Sequence, residues 1–95
     1  MQIISRKALR SFWVRYPESE PPLTRWYKIM EQSTFGNFAE LRATFPSADV
    51  VGELVGFNIG GNKYRLIASI HFNRGKVYVR QVLTHNEYNQ GTWKP

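Results

Sequence analysis

The sequence predicts an α+β fold, and three observations carry that prediction. Apolar residues of the first half recur at helical spacing, in segments bounded by prolines. From Val50 onward the apolar period changes to two, the spacing of strands. Gly60-Gly61 and Asn73-Arg74-Gly75 then punctuate that second half as tight turns, which makes it an antiparallel meander. Helices followed by a meander is the order in which helices pack on one face of an antiparallel sheet.

Taken in chain order, residues 1–4 read as a short strand. Ser5 is a suitable N-cap for a helix to about Tyr16, with Ala8, Leu9, Phe12, Trp13 and Tyr16 on one side and Pro17 as its stop. A second helix starts at Pro21-Pro22, where proline is tolerated, and carries the stripe Leu23, Trp26, Tyr27 and Met30. Phe38, Leu41 and Phe45 suggest a helical turn or two before Pro46. Strands follow at about 54–59, 63–72 and 76–84, and a short helix at about 85–90. Aromatic residues at helical spacing are read as core stripes in preference to base-stacking platforms.

Two-residue turns at Gly60-Gly61 and Arg74-Gly75 would set Lys63 opposite Asn58, Tyr64 opposite Phe57, Leu66 opposite Leu83 and Arg65 opposite Thr84. Paired residues share a face. One face then collects Val55, Phe57, Tyr64, Leu66, Ala68, Ile70, Phe72, Val77, Val79 and Leu83, with Gln81 as its polar member. The other collects Asn58, Lys63, Arg65, Ser69, His71, Tyr78, Arg80 and Thr84, with Ile67 and Val82 as apolar exceptions. A slip by one residue would bury Lys63, Arg65 and Arg80 without partners, which is costly. A three-residue loop Asn73-Arg74-Gly75 is the alternative at the second turn and would shift the last strand by one.

A chain of 95 residues is expected to form one domain over 1–95. With 42% hydrophobic and 15% aromatic residues it is not a disordered chain. It has no cysteine, which excludes disulfides, thiolate catalysis and zinc fingers. No apolar run approaches the ~18 residues of a membrane span, and the N-terminal residues lack a signal-peptide core, so a soluble cytoplasmic protein is expected. The net charge is +6, of which residues 55–95 supply +5 and residues 1–54 only +1. Such asymmetry suits a polyanion-binding surface. Arginine offers phosphate a bidentate fork and lysine a mobile charge. His85 and Tyr88 follow the strand that carries Arg80 and are candidates for proton exchange. Two histidines with scattered acids do not make a metal site, so neither metal nor cofactor is expected. No helix is conspicuously basic on one face, which argues against direct DNA binding.

The runs F-N-I-G-G-N-K-Y-R-L-I-A and V-Y-V-R-Q-V-L-T-H-N-E-Y, with I-I-S-R-K-A-L and L-R-A-T-F-P-S-A-D earlier, resemble the HigB family of toxins from type II toxin–antitoxin systems. The resemblance implies a RelE-like domain, with helices on one sheet face and an RNA site on the other. It further implies an mRNA interferase that cuts translated messages in the ribosomal A site, needs no metal and leaves a 2′,3′-cyclic phosphate. The expected partner is a HigA-type helix-turn-helix antitoxin, with DNA contacted only through that complex. By the same resemblance Arg65 and Arg80 stabilise phosphate and transition state, and His85 and Tyr88 transfer protons. Asn58, Lys63 and Thr84 complete the expected RNA contacts. A non-catalytic RNA-binding module on the same basic face is the alternative reading.

Overall fold

The computed structural model describes every residue of the chain except Ser5, Thr92 and Pro95. The Ser5 cap expected for the first helix therefore lies outside the described residues. Strand β1 (Gln2–Ile4) leads into helix α1 (Arg6–Arg15), a single 3₁₀ turn at Pro17–Ser19, helix α2 (Glu20–Gln32) and helix α3 (Phe38–Thr44). Strands β2 (Asp49–Val51), β3 (Leu54–Ile59), β4 (Tyr64–His71) and β5 (Lys76–Thr84) follow, and helix α4 (His85–Gln90) comes last.

Local chemistry explains the boundaries. Pro17 ends α1 because it has no N–H to give, and Pro21 and Pro22 sit in the first turn of α2 where none is needed. Ser19 is fully buried between the two helices. Its hydroxyl and its backbone N–H both donate to the Tyr16 carbonyl, so neither donor is left without a partner. Asn37 caps α3 by accepting from the Glu40 N–H.

The sheet has the order β1-β5-β4-β3-β2. It is mixed, which corrects the purely antiparallel expectation. The edge strand β1 runs parallel to β5, with Ile3 beside Val77, and the remaining pairs are antiparallel. A parallel neighbour leaves no sequence signature when it comes from the far end of the chain. The nitrogen of Met1 donates to the carbonyls of Met30, Glu31 and Ser33, tying β1 to the end of α2.

One sheet face is covered by the helices. Leu9 and Phe12 of α1, Leu23, Trp26 and Met30 of α2, and Leu41 of α3 form a single core with Val55, Phe57, Ile59, Tyr64, Leu66, Ala68, Val77 and Val79. Aromatic rings meet edge to face across this layer, Trp26 on Phe57 at 5.4 Å and Phe12 on Tyr64 at 5.5 Å.

Both hairpin loops are four residues long, not two. Ile59 pairs with Tyr64 and Phe57 with Leu66, so Gly60-Gly61-Asn62-Lys63 is the loop; His71 pairs with Lys76 around the second. Lys63, expected in a strand, is therefore a loop residue. Gly60 and Gly61 have φ of 62° and 69°, a conformation L side chains rarely adopt. A shift of two residues preserves side-chain parity, so the predicted faces of β3 and β4 survive the wrong pairing.

Strand β5 departs from the expectation in its second half. Ala68 pairs with Val79 but Ile67 with Gln81, which leaves Arg80 as the extra residue of a β-bulge. Beyond the bulge the faces exchange. Val82 lies beside Leu66 on the core face and Leu83 beside Arg65 on the open face, the reverse of the predicted assignment. Gln81 likewise joins the open face beside Ile67. Thr84 pairs with Tyr64 and not with Arg65.

Candidate functional site

The open face carries a cleft of about 250 Å³ lined by Arg42, Ser47, Ala48, Asp49, Gly56, Asn58, Arg65 and Tyr88. Alternation along the sheet puts Gly56, Asn58 and Arg65 there: Gly56 and Asn58 point away from Phe57, and Arg65 is the cross-strand partner of Asn58. Gly56 leaves the floor open because it has no side chain. The end of α3 and the strand after it supply Arg42 and Asp49, and α4 supplies Tyr88.

Arg65 is half-buried and held from two sides. Its Nη2 donates to Asn62 Oδ1 at 2.6 Å and its Nη1 to the Tyr64 carbonyl at 3.3 Å. The guanidinium carbon lies 5.1 Å from the centre of the Tyr88 ring, a cation–π contact. A guanidinium has five N–H donors, so this arrangement still leaves donors for a phosphate. Arg42 brings a second guanidinium to the cleft, tethered through Nε to the Pro46 carbonyl at 3.5 Å.

Tyr88 is itself supported. Its ring stacks on Trp93 at 4.9 Å and 18°, and Trp93 Nε1 donates to the Tyr88 carbonyl at 2.8 Å. Trp93 is buried, yet stands apart from the helix-side core. It lines a neighbouring depression of about 490 Å³ together with Gly52, Glu53, Leu54, Ser69, Arg80 and Gln81. The Tyr88–Trp93 stack is thus the partition between two hollows of one face.

The residues expected at the site separate into two groups. Arg65, Tyr88 and Asn58 come together in the cleft. Arg80 is exposed on the bulge and lines the adjoining depression, not the cleft itself. His85 lines neither hollow: its backbone N–H donates to the Lys63 carbonyl at 3.1 Å, and its Nδ1 is buried with no hydrogen-bond partner among the described residues. Thr84 uses its hydroxyl as the N-cap of α4, accepting from the Glu87 N–H while Glu87 accepts from the Thr84 N–H, a complete capping box. Lys63 is an exposed loop residue 3.9 Å from Glu18.

Arg42, Ser47, Asp49 and Asn62 were not singled out from the sequence. The run L-R-A-T-F-P-S-A-D contains the first three, and the asparagine of G-G-N is the fourth. Among the described residues no group of three or more histidine, cysteine or acidic side chains is placed to hold a metal, and no helix is long and apolar enough to cross a membrane.

A small α+β domain with helices on one sheet face and an arginine-lined cleft on the other has the layout of the RelE-like toxins. Comparison with known proteins makes the assignment specific. The family model HigB_toxin, described as the RelE-like toxic component of a toxin-antitoxin system, matches residues 19–91, and the chain belongs to this family. It is 34% identical over 92 residues to the mRNA interferase toxin HigB of Escherichia coli K12, covering 94% of this chain and 88% of that protein. The mRNA interferase HigB of Escherichia coli O6:H1 is 28% identical over 95 residues, covering 97% and 92%.

Proposed function

We propose that this chain is an mRNA interferase, a toxin-type endoribonuclease that cuts messages at the Arg65–Tyr88 cleft. The observation that carries the reading is Arg65 itself. A half-buried guanidinium is oriented by a 2.6 Å hydrogen bond and by the Tyr88 ring, and it opens onto a cleft lined by a second arginine. Donors fixed in advance on the place where charge develops are the largest single term in this kind of catalysis.

In the reaction an internal 2′-hydroxyl attacks the adjacent phosphorus while the P–O5′ bond breaks. The products are a 2′,3′-cyclic phosphate and a 5′-hydroxyl. One proton leaves the 2′-oxygen and one arrives at the 5′-oxygen. Arg65, with Arg42 beside it, stabilises the added negative charge of the phosphorane. Tyr88 and Asp49 are the groups of the cleft able to exchange a proton. Arg80, in the adjoining depression, binds the RNA backbone next to the cleaved phosphate. Asn58 contacts the strand within the cleft.

The substrate is message engaged on the ribosome, in the A site, and the inhibitor is a HigA-type helix-turn-helix antitoxin that carries the pair to DNA. Mapping of RNA 5′ ends after induction tests the reading. Arg65→Ala should lower cleavage of translated message about 100-fold or more, the cost of removing one such donor. Undiminished cleavage by Arg65→Ala would show that the cleft is not the site. Binding to ribosomes without new 5′-hydroxyl ends in the wild type would support the non-catalytic module.

A further inference from the structure

The geometry points to Asn62 as a positioning residue for the reaction: it does not itself line the cleft, and it acts by fixing the guanidinium of Arg65, which does. The inference rests on the cleft reading above and deepens it.

Asn62 lies in the four-residue loop between β3 and β4, directly after the glycine pair. It is exposed and is absent from the residues that line the cleft. Its Oδ1 nevertheless accepts the shortest hydrogen bond that Arg65 makes, 2.6 Å from Nη2. That bond is charge-assisted, and such bonds are about twice as strong as neutral ones. An arginine side chain has many rotamers, so a fork that is to meet a phosphate in the cleft has to be held in place. The Tyr64 carbonyl holds Nη1 through a long bond of 3.3 Å, and the Tyr88 ring lies 5.1 Å from the guanidinium carbon. The Asn62 side-chain oxygen adds a second, shorter hold on Nη2, and two terminal nitrogens held at once fix the guanidinium plane more firmly than one.

The loop length is part of the device. A two-residue turn would have placed Asn62 in the strand opposite Ile59, with its side chain committed to a sheet face. Two further residues free it to fold back over the start of β4. The same loop also accepts the His85 N–H through the Lys63 carbonyl at 3.1 Å, and so fixes the first turn of the helix that carries Tyr88. One loop therefore sets both partners of the cation–π pair.

The test is a double-mutant cycle read by single-turnover cleavage of a translated message, with Asn62→Ala, Arg65→Lys and the combined variant. Asn62→Ala should slow cleavage at saturating toxin about tenfold, while the half-saturating concentration changes by less than about twofold, since misorientation affects the transition state more than binding. Lysine at position 65 cannot present a planar fork, so adding Asn62→Ala to Arg65→Lys should bring no further loss. Thermal unfolding of Asn62→Ala should match wild type. Additive losses in the cycle would overturn the inference, as would a raised half-saturating concentration at an unchanged maximal rate. A parallel fall in melting temperature and activity would also overturn it, in favour of a loop-folding role. If Arg65→Ala itself is harmless, the cleft reading fails; if only Asn62→Ala is harmless, the positioning role alone fails.

Discussion

The two faces of strand β4 differ by one residue step and by almost everything else. Tyr64, Leu66 and Ala68 are buried under helices α1 and α2, whereas Arg65 and Ser69 stand on the open face. The first face is closed by shape, with rings packed edge to face. The second, where Ile67 is also buried, is closed only in part, by Tyr88 and Trp93, and its hollows are lined by Arg42, Arg65 and Arg80 together with Asp49 and Glu53. A single strand thus divides stability and chemistry between alternate positions. Substitutions on the two faces should therefore separate the two properties.

The largest effect belongs to the closed face. Leu66 is wholly buried, and Leu66→Ala should cost about 2–5 kcal/mol of stability in urea unfolding. Against a total of about 5–15 kcal/mol for such a domain, toxicity would fall because the folded population falls. A loss below about 1 kcal/mol would mean that the core rearranges to fill the space.

Gly56 should do the reverse. A Cβ built there would sit 3.6 Å from the Ile67 side chain and 3.9 Å from the Asp49 carbonyl, ordinary contact distances. Gly56→Ala should therefore leave stability unchanged or raise it by about 0.5 kcal/mol, as expected for glycine in a strand interior. The added methyl stands on the cleft floor and should slow cleavage severalfold. Equal activity with higher stability would show that the floor is not approached by substrate.

The smallest effect is expected outside both faces. Lys63 and Glu18 are 68% and 79% exposed in their side chains and 3.9 Å apart. Lys63→Ala should shift unfolding by less than about 0.5 kcal/mol and leave the maximal cleavage rate intact. A larger loss of activity at unchanged stability would return Lys63 to the RNA-binding surface.

Much of this division was legible in the sequence, and the physical reason is parity. Alternation assigns faces, and faces are insensitive to a register error of two, so Arg65 and Asn58 were placed together correctly although their partners were not. Alternation cannot detect a bulge, because one additional residue looks the same as a continuing strand. Leu83 and Val82 were therefore exchanged, and Thr84 was given to the wrong neighbour. The three-residue strand β2 is too short for a periodic signal, and with it went Asp49 and the sequence neighbour Ser47. Asn62 was hidden for a different reason. Its partner is three residues away in the same strand-loop unit, and a side chain folding back on its own chain leaves no pattern to count.

The bulge at Arg80 has a consequence for how such a chain can vary in length. It divides β5 into two reading frames, Val77 and Val79 inward in the first, Val82 and Thr84 inward in the second. Removal of a residue farther from the bulge, such as Tyr78 or Leu83, would put the portion between it and Arg80, or beyond it, out of phase with β4. Removal of Arg80 would rejoin the frames and keep every remaining cross-strand pair. The strand thus carries one dispensable register position, and its occupant is the arginine that faces the second hollow.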